Sequence, residues 1–262
     1  MAWGDTAPVI SASVDDPSAT PWIAIIIDDL GETRRGGDRV IALEGPVACA
    51  ILPQTPYATH IAERAHAAGK EVLLHLPLQP VMQFAATSVG TIRVDTTREQ
   101  LSRILTIDLA AVPYAEGVNN HQGSLLTQHP GHMRWLMEEL SGRGDLFFVD
   151  SFTSDSSVAL RFAREFAVPS IRRDVFLDHE PTWDAIDREF EKLKRMARTR
   201  GVAIGIAHPL NVTLSYLEAA IPALRAEGFE IVSISEAIAR GGHPIVQTAS
   251  VEPQAESKGG AR

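Results

Sequence analysis

The feature that most constrains this chain is a series of apolar runs that do not alternate. Residues 23–27 read Ile-Ala-Ile-Ile-Ile, and comparable runs recur at 47–52, 71–76, 146–149, 171–177, 202–207 and 229–234, with a shorter one at 117–120. A strand with one face in water alternates apolar and polar residues. A continuous apolar run of this length fits a strand covered on both faces, as in a parallel sheet. Amphipathic segments lie between the runs, at 57–68, 96–110, 129–140, 156–166, 181–200 and 212–227. Gly69 supplies a stop for the first of them. Thr96 with Glu99 three residues later supplies a capping-box start for the second. Strand-then-helix order, repeated seven or eight times, calls for βαβ units and a parallel sheet. The pattern predicts an α/β fold: an irregular (β/α)7-type barrel with mostly parallel strands. A doubly wound open sheet is the alternative.

Domain limits follow from composition. Residues 1–20 are small, polar and Pro-containing, residues 241–262 are rich in Gly, Pro and polar residues, and both segments are expected to be disordered. Residues 21–240 contain no comparable linker and form one domain. Residues 1–20 lack the basic-then-apolar order of a signal peptide. No stretch reaches the roughly 18 apolar residues that a membrane helix needs. The formal net charge of −9 argues against a nucleic-acid backbone as partner and leaves a neutral sugar open. The basic stretch 188–200 is interleaved with acidic residues and reads as a solvated helix face. The single cysteine, Cys49, lies in an apolar run and is expected to be a buried thiol; one cysteine forms no internal disulfide.

The polar residues with chemical capacity gather where the apolar runs end. Asp28 and Asp29 follow the first, His75 closes the third, and Asn119, Asn120 and His121 close the fourth. Asp150 and Ser151 close the fifth, Asp178 the sixth and His208 the seventh. In a β/α barrel the C-terminal strand ends converge on one face, which carries the active site. Asp29, His75 and His121 are separated by 46 residues each, yet such a fold can bring them together. Two histidines and a carboxylate with an open position suit catalytic zinc or a similar divalent ion. A second carboxylate can then serve as general base, and a histidine on the opposite wall can protonate a leaving group; Asp28, Asp29, His75, His121 and His208 supply these parts. Each residue taken singly has a plainer reading. An Asp-Asp pair can cap a helix or solvate a loop, and His75, His121 and His208 can each be a hydrogen-bonded structural histidine. His60, His66, His129 and His132 sit on or at the ends of helices. Arg173 beside Asp174 either orients a catalytic group or forms an exposed ion pair of little value.

Taken together, Ile-Ile-Ile-Asp28-Asp29-Leu-Gly31, Leu-His75-Leu-Pro-Leu-Gln-Pro80, Gly117-Val-Asn-Asn-His121-Gln-Gly-Ser124, Phe-Val-Asp150-Ser151 and Ala-His208-Pro209 resemble the divergent polysaccharide deacetylase family. The resemblance runs from about Trp22 to Ala239. It implies a deacetylase-like β/α barrel in which the first aspartate of the pair is the base, the second binds metal, and a late histidine is the acid. Asp28, Asp29 and His208 occupy those places. The wider superfamily usually carries two metal-binding histidines four residues apart. Here Leu125 stands four residues after His121, and His75 is assigned the missing role. The expected activity is metal-dependent removal of acetyl groups from a carbohydrate or envelope glycan, with Zn2+ as the metal. Asn120, Ser124, Asp150, Ser151, Arg173 and Asp178 are expected to contact the sugar, and the resemblance implies a periplasmic or otherwise exported protein. Two rival readings stay open: a degenerate barrel that binds glycan or an envelope partner without turnover, and a metal hydrolase of a non-sugar amide or ester. The sequence leaves the oligomeric state open.

Overall fold

The computed structural model describes residues 20–82 and 90–240. The expectations for residues 1–19 and 241–262 lie outside them. The chain opens with β1 (Trp22–Leu30), α1 (Arg34–Ile41), β2 (Ala48–Ile51), α2 (Ala58–Ala67) and β3 (Val72–Leu78). It continues through α3 (Arg98–Ala111), β4 (Gly117–Gln122), α4 (Pro130–Ser141), β5 (Phe147–Asp150) and α5 (Ala159–Glu165). Then come β6 (Ser170–Arg172), β7 (Val175–Phe176), α6 (Trp183–Arg200), β8 (Val202–Ala207), α7 (Asn211–Leu224), β9 (Glu230–Ile231) and α8 (Ile234–Ala239).

All the strand pairings are parallel, and the order is β6-β5-β4-β3-β2-β1-β8-β7. The two outermost strands are consecutive in sequence. β6 pairs with β5, Asp174 N–H bonds to Ile204 O, and β7 pairs with β8. One interrupted stave, residues 170–176, therefore hands its hydrogen bonds from one edge of the sheet to the other, and the barrel has seven staves. β9 pairs with the start of β1. The helix after it closes the barrel floor: Val232, Ile234 and Ala237 pack against the inward-facing Ala24, Ala48 and Leu73. The Glu71 carboxylate accepts from the Ile234 and Ser235 N–H groups and so caps α8.

Strand geometry sorts every stave into two faces. Ile23, Ile25 and Ile27 of β1 face the helices with Leu74, Leu76, Val118 and Phe148. Ala24 and Ile26 face inward with Ala48, Ala50, Leu73, Val149, Ile204 and Ile206. Both sets are buried, which is why the runs do not alternate. Fully burying an Ile or Leu side chain contributes roughly 1.5–3 kcal/mol, so this double layer dominates stability.

Three local details differ from expectation. α1 lies outside the amphipathic segments read from the sequence, and it carries Gly36 and Gly37, which disfavour a helix. The glycine is needed for packing: a Cβ on Gly37 would lie 2.2 Å from Ile61 Cδ1 of α2. α3 is capped by Thr97 and Gln100 rather than by Thr96 and Glu99. The Thr96 hydroxyl is engaged by Arg93 N–H in the preceding turn. The last apolar run forms only the two-residue β9 before turning into α8. Cys49 is buried as expected, and burial, only partly offset by Lys70, pushes its thiol up to about 12.

Candidate metal-binding active site

The inward parity of the staves continues beyond the apolar layer into polar residues. After Ala24 and Ile26 comes Asp28; after Leu73, His75; after Phe147 and Val149, Ser151; after Ile204 and Ile206, His208. Asn119 and His121 share the corresponding face of β4. The C-terminal mouth thus holds a cavity of about 200 Å3 lined by Asp28, His75, His121, Ser151, Arg173 and His208, with Ile206 and Phe176 as apolar wall.

Asp29 should face outward, because neighbouring residues on a strand point to opposite sides. It does not, because β1 carries a bulge. The β1–β2 register shifts between Ile27 and Leu30, and Asp29 adopts a left-handed φ of 56°. A bulge re-aims a side chain at the cost of local strain. Gly31 completes the turn at φ 112°, where a Cβ would lie 2.0 Å from Thr55 Oγ1. Two further left-handed non-glycine residues lie around the same mouth: Gln122 ends β4, and Phe152 follows β5 by two residues.

The bulge puts Asp29 Oδ1 3.0 Å from His121 Nδ1 and 3.2 Å from His75 Nε2. The two ring nitrogens lie 3.1 Å apart. Three potential ligand atoms form a nearly equilateral triangle, and among the described residues this is the cluster of histidine and acidic side chains able to hold an ion. Asp29 Oδ1 is buried and lacks a hydrogen-bond partner despite these short approaches. A buried oxygen left in this way requires an explanation, and a cation at the triangle gives one. Ligand bonds of about 2.0–2.2 Å at angles between 90° and 109° need donor atoms about 3.0–3.5 Å apart. The residues therefore fit a divalent ion. The local electrostatics favour a positive charge there in any case. Burial would lower the His75 pKa, but Asp28 and Asp29 outweigh it and push it up to about 9. Burial opposes ionisation of Asp29, yet the two imidazoles hold its carboxyl far below the usual range.

Asp28 is buried, and burial raises its pKa; His75, His208 and a hydrogen bond from Asn119 offset this in part. The Asn119 Nδ2 group donates to Asp28 Oδ1 at 2.8 Å. His208 is not on the wall opposite Asp28 as expected. β8 is the neighbour of β1, and His208 Nε2 lies 3.8 Å from Asp29 Oδ2. Its ring is held by Asp178, whose Oδ1 is 3.0 Å from Nδ1 and whose Oδ2 accepts from His208 N–H and from the Thr213 hydroxyl. Burial would lower the His208 pKa, but Asp178 outweighs it and the net shift is upward. The imidazole thus keeps Nδ1 on Asp178 and turns Nε2 to the site.

The residues expected to contact sugar divide into two groups. Asn120, Ser151 and Arg173 line the cavity. Arg173 is anchored there by donating to Ser151 O and Phe152 O, while Asp174 accepts from Arg200 and Ile204 N–H. Ser124, Asp150 and Asp178 are not among the lining residues. Ser124 accepts from Val81 N–H, and Asp150 accepts from Ser157 Oγ and Phe152 N–H, so their oxygens hold loops together. Asp178 is committed to His208. Asn119 received no role in the sequence reading. Its place two residues before His121 was the available signal.

Comparisons with known proteins identify the family and the fold. The sequence profile of the divergent polysaccharide deacetylases matches residues 25–238. The uncharacterized protein YibQ of Escherichia coli K12 is 34% identical over 206 residues, 79% of this chain and 64% of YibQ, so the chain spans a little under two thirds of that relative. Among solved structures, the uncharacterized protein ATU2773 of Agrobacterium tumefaciens superposes with a TM-score of 0.79 at 24% identity, covering 84% of this chain and 89% of that one. A mutant of BA3943 from Bacillus anthracis, a CE4 family pseudoenzyme with restored enzymatic activity, shares the fold at a TM-score of 0.50 and 17% identity, over 85% of this chain and 69% of that one.

Proposed function

The chain belongs to the divergent polysaccharide deacetylase family, and from that premise we propose that it is a metal-dependent hydrolase that removes acetyl groups from a carbohydrate, most simply an envelope glycan. The observation that carries the reading is the triangle of Asp29, His75 and His121 directly beside two proton-transfer groups, Asp28 and His208. Asp29, His75 and His121 would hold the ion, with Zn2+ the choice that suits two nitrogens and a carboxylate. When bound, the ion supplies a Lewis acid for the acetyl carbonyl and for water. Asp28, buried and with a raised pKa, receives the proton of the attacking water. His208 delivers a proton from Nε2 to the departing amine or alcohol, while Asp178 keeps the ring oriented and favours its charged form. Ile206 and Phe176 offer the apolar surface that an acetyl methyl group needs, Ser151 and Arg173 offer polar groups for the sugar, and Asn120 braces the wall by accepting from Ser151 N–H and donating to Gln122 O.

The test measures bound metal and acetate release from acetylated glycans. Stoichiometric zinc and Asp28-dependent release are expected. Protein that stays metal-free and inert after zinc or cobalt loading would sink the reading.

One observation favours a second reading, a barrel that binds glycan or an envelope partner without turnover: Leu125 occupies the place of the superfamily's second histidine. Glycan binding that survives Asp28→Ala and Asp29→Ala, with no turnover by the wild type, selects it. A substrate panel of non-sugar amides and esters separates the third class. An envelope substrate also assigns the protein to the periplasm or another exported location, which fractionation of cells expressing the full-length gene checks.

A further inference from the structure

Asn119 is fully buried at the middle of β4 and stands between two groups of the proposed reaction, one in the metal triangle and one outside it. We propose that Asn119 is a positioning residue whose single amide fixes the tautomer of His75 and the orientation of Asp28 at once. The inference rests on the metal-hydrolase reading above.

The argument is one of donors and acceptors. A primary amide has one acceptor end and one donor end. The ionised Asp28 carboxylate only accepts, and its Oδ1 lies 2.8 Å from Asn119 Nδ2, so the NH2 must face Asp28. Ser151 Oγ, 3.4 Å away, is a second, weaker acceptor for the same group. The carbonyl end is then turned to His75, where Asn119 Oδ1 lies 2.9 Å from Nδ1. A carbonyl oxygen cannot donate, so the proton of this contact belongs to His75 Nδ1. The lone pair of the neutral ring is thereby left on Nε2, the atom that faces Asp29 and His121. Strand register makes the contact possible: His75 and Asn119 are direct partners in the β3–β4 ladder. No other side chain in this network touches both the base and a candidate metal ligand through opposite ends of one group. A metal-ligating histidine whose second nitrogen is held in this way binds its ion in a fixed tautomer, and loss of such a partner commonly costs 10–100-fold in affinity.

The experiment compares the full chain with Asn119→Ala and Asn119→Asp, measuring zinc affinity by competition with a chromophoric chelator and acetate release by the zinc-loaded protein. Asn119→Ala removes both contacts and is expected to lose about 10–100-fold in zinc affinity as well as turnover. Asn119→Asp keeps an acceptor for His75 but sets a carboxylate against Asp28. It is expected to hold zinc as well as the wild type while losing turnover. A residue that merely fills space would not split affinity from turnover between the two variants. Folded Asn119→Ala with wild-type zinc affinity overturns the proposal, as does Asn119→Asp that loses zinc as fully as the alanine variant. Long-range 1H–15N NMR of zinc-loaded wild type decides the matter without a variant: a proton on His75 Nδ1 is expected, and zinc on Nδ1 with the proton on Nε2 overturns it. Wild type that binds no zinc would instead overturn the underlying reading, and this one with it.

Discussion

The lower and upper halves of the barrel interior are laid on the same staves with the same inward parity, but they differ in chemistry. Below lie Ala24, Ile26, Ala48, Ala50, Leu73, Val149 and Ile204, apolar and fully buried. Above them, one pleat further along, lie Asp28, His75, Asn119 and Ser151, which are buried almost as completely and are polar. Burial of the lower set is favourable by itself. Burial of the upper set is tolerated because its members hydrogen-bond one another, and three of the five described non-glycine residues with left-handed φ, Asp29, Gln122 and Phe152, lie at that end. The lower layer supplies the rigidity that lets the upper one hold groups in positions they would not choose alone.

The sharpest way to break this division is to substitute one residue in each half. Asp28→Asn keeps the shape of the upper layer and removes the proposed base. Acetate release should fall about 10²–10⁴-fold, while thermal stability stays level or rises because a buried charge is gone. A fall in Tm with activity retained would show that Asp28 serves the fold instead. In the lower layer, Ile26→Ala should cost about 2–5 kcal/mol in denaturant unfolding and leave the zinc affinity of the folded protein unaltered. A weakened zinc site would mean that the two halves are coupled.

A smaller effect is expected at the edge of the upper layer. On the proposed mechanism His208 acts in its protonated form, and Asp178 is the chief reason its pKa is raised. Activity should therefore persist below that pKa and decline as pH rises through it. Asp178→Asn should move this alkaline limb to lower pH and reduce turnover roughly tenfold; an unmoved limb would remove His208 from the acid's role. The smallest effect lies outside both layers. Asp108 on α3 accepts from Gln54, and burial raises its pKa to about 6. Because the folded value lies above the unfolded one, its ionisation costs stability as pH rises from about 4 to 6. The penalty is complete above that window and absent below it. Asp108→Asn should raise stability at pH 7 and leave it unaltered at pH 3.5, as urea unfolding at the two pH values would report.

The sequence alone determined the class of fold, because continuous apolar runs between amphipathic helices have no other economical arrangement than a covered parallel sheet. It also determined which residues stand at the strand ends, and the period of two, carried forward from Ile26 to Asp28 or from Ile206 to His208, already implied which of them face inward. Applied to β4, the same rule would have selected Asn119 beside His121, though Asn120, on the other parity, also reaches the cavity lining. Tertiary structure alone decided the rest. That Asp29 turns into the site is a consequence of a bulge, a two-residue departure from the pleat that leaves no trace in composition. That His208 neighbours Asp28 follows from β8 lying against β1. That Asp150 and Asp178 spend their oxygens on Ser157, Phe152, His208 and Thr213 depends on loops meeting across the barrel mouth. Periodicity is a local property, fixed by backbone geometry at each residue. Hydrogen-bond partners are chosen only when the whole sheet has closed.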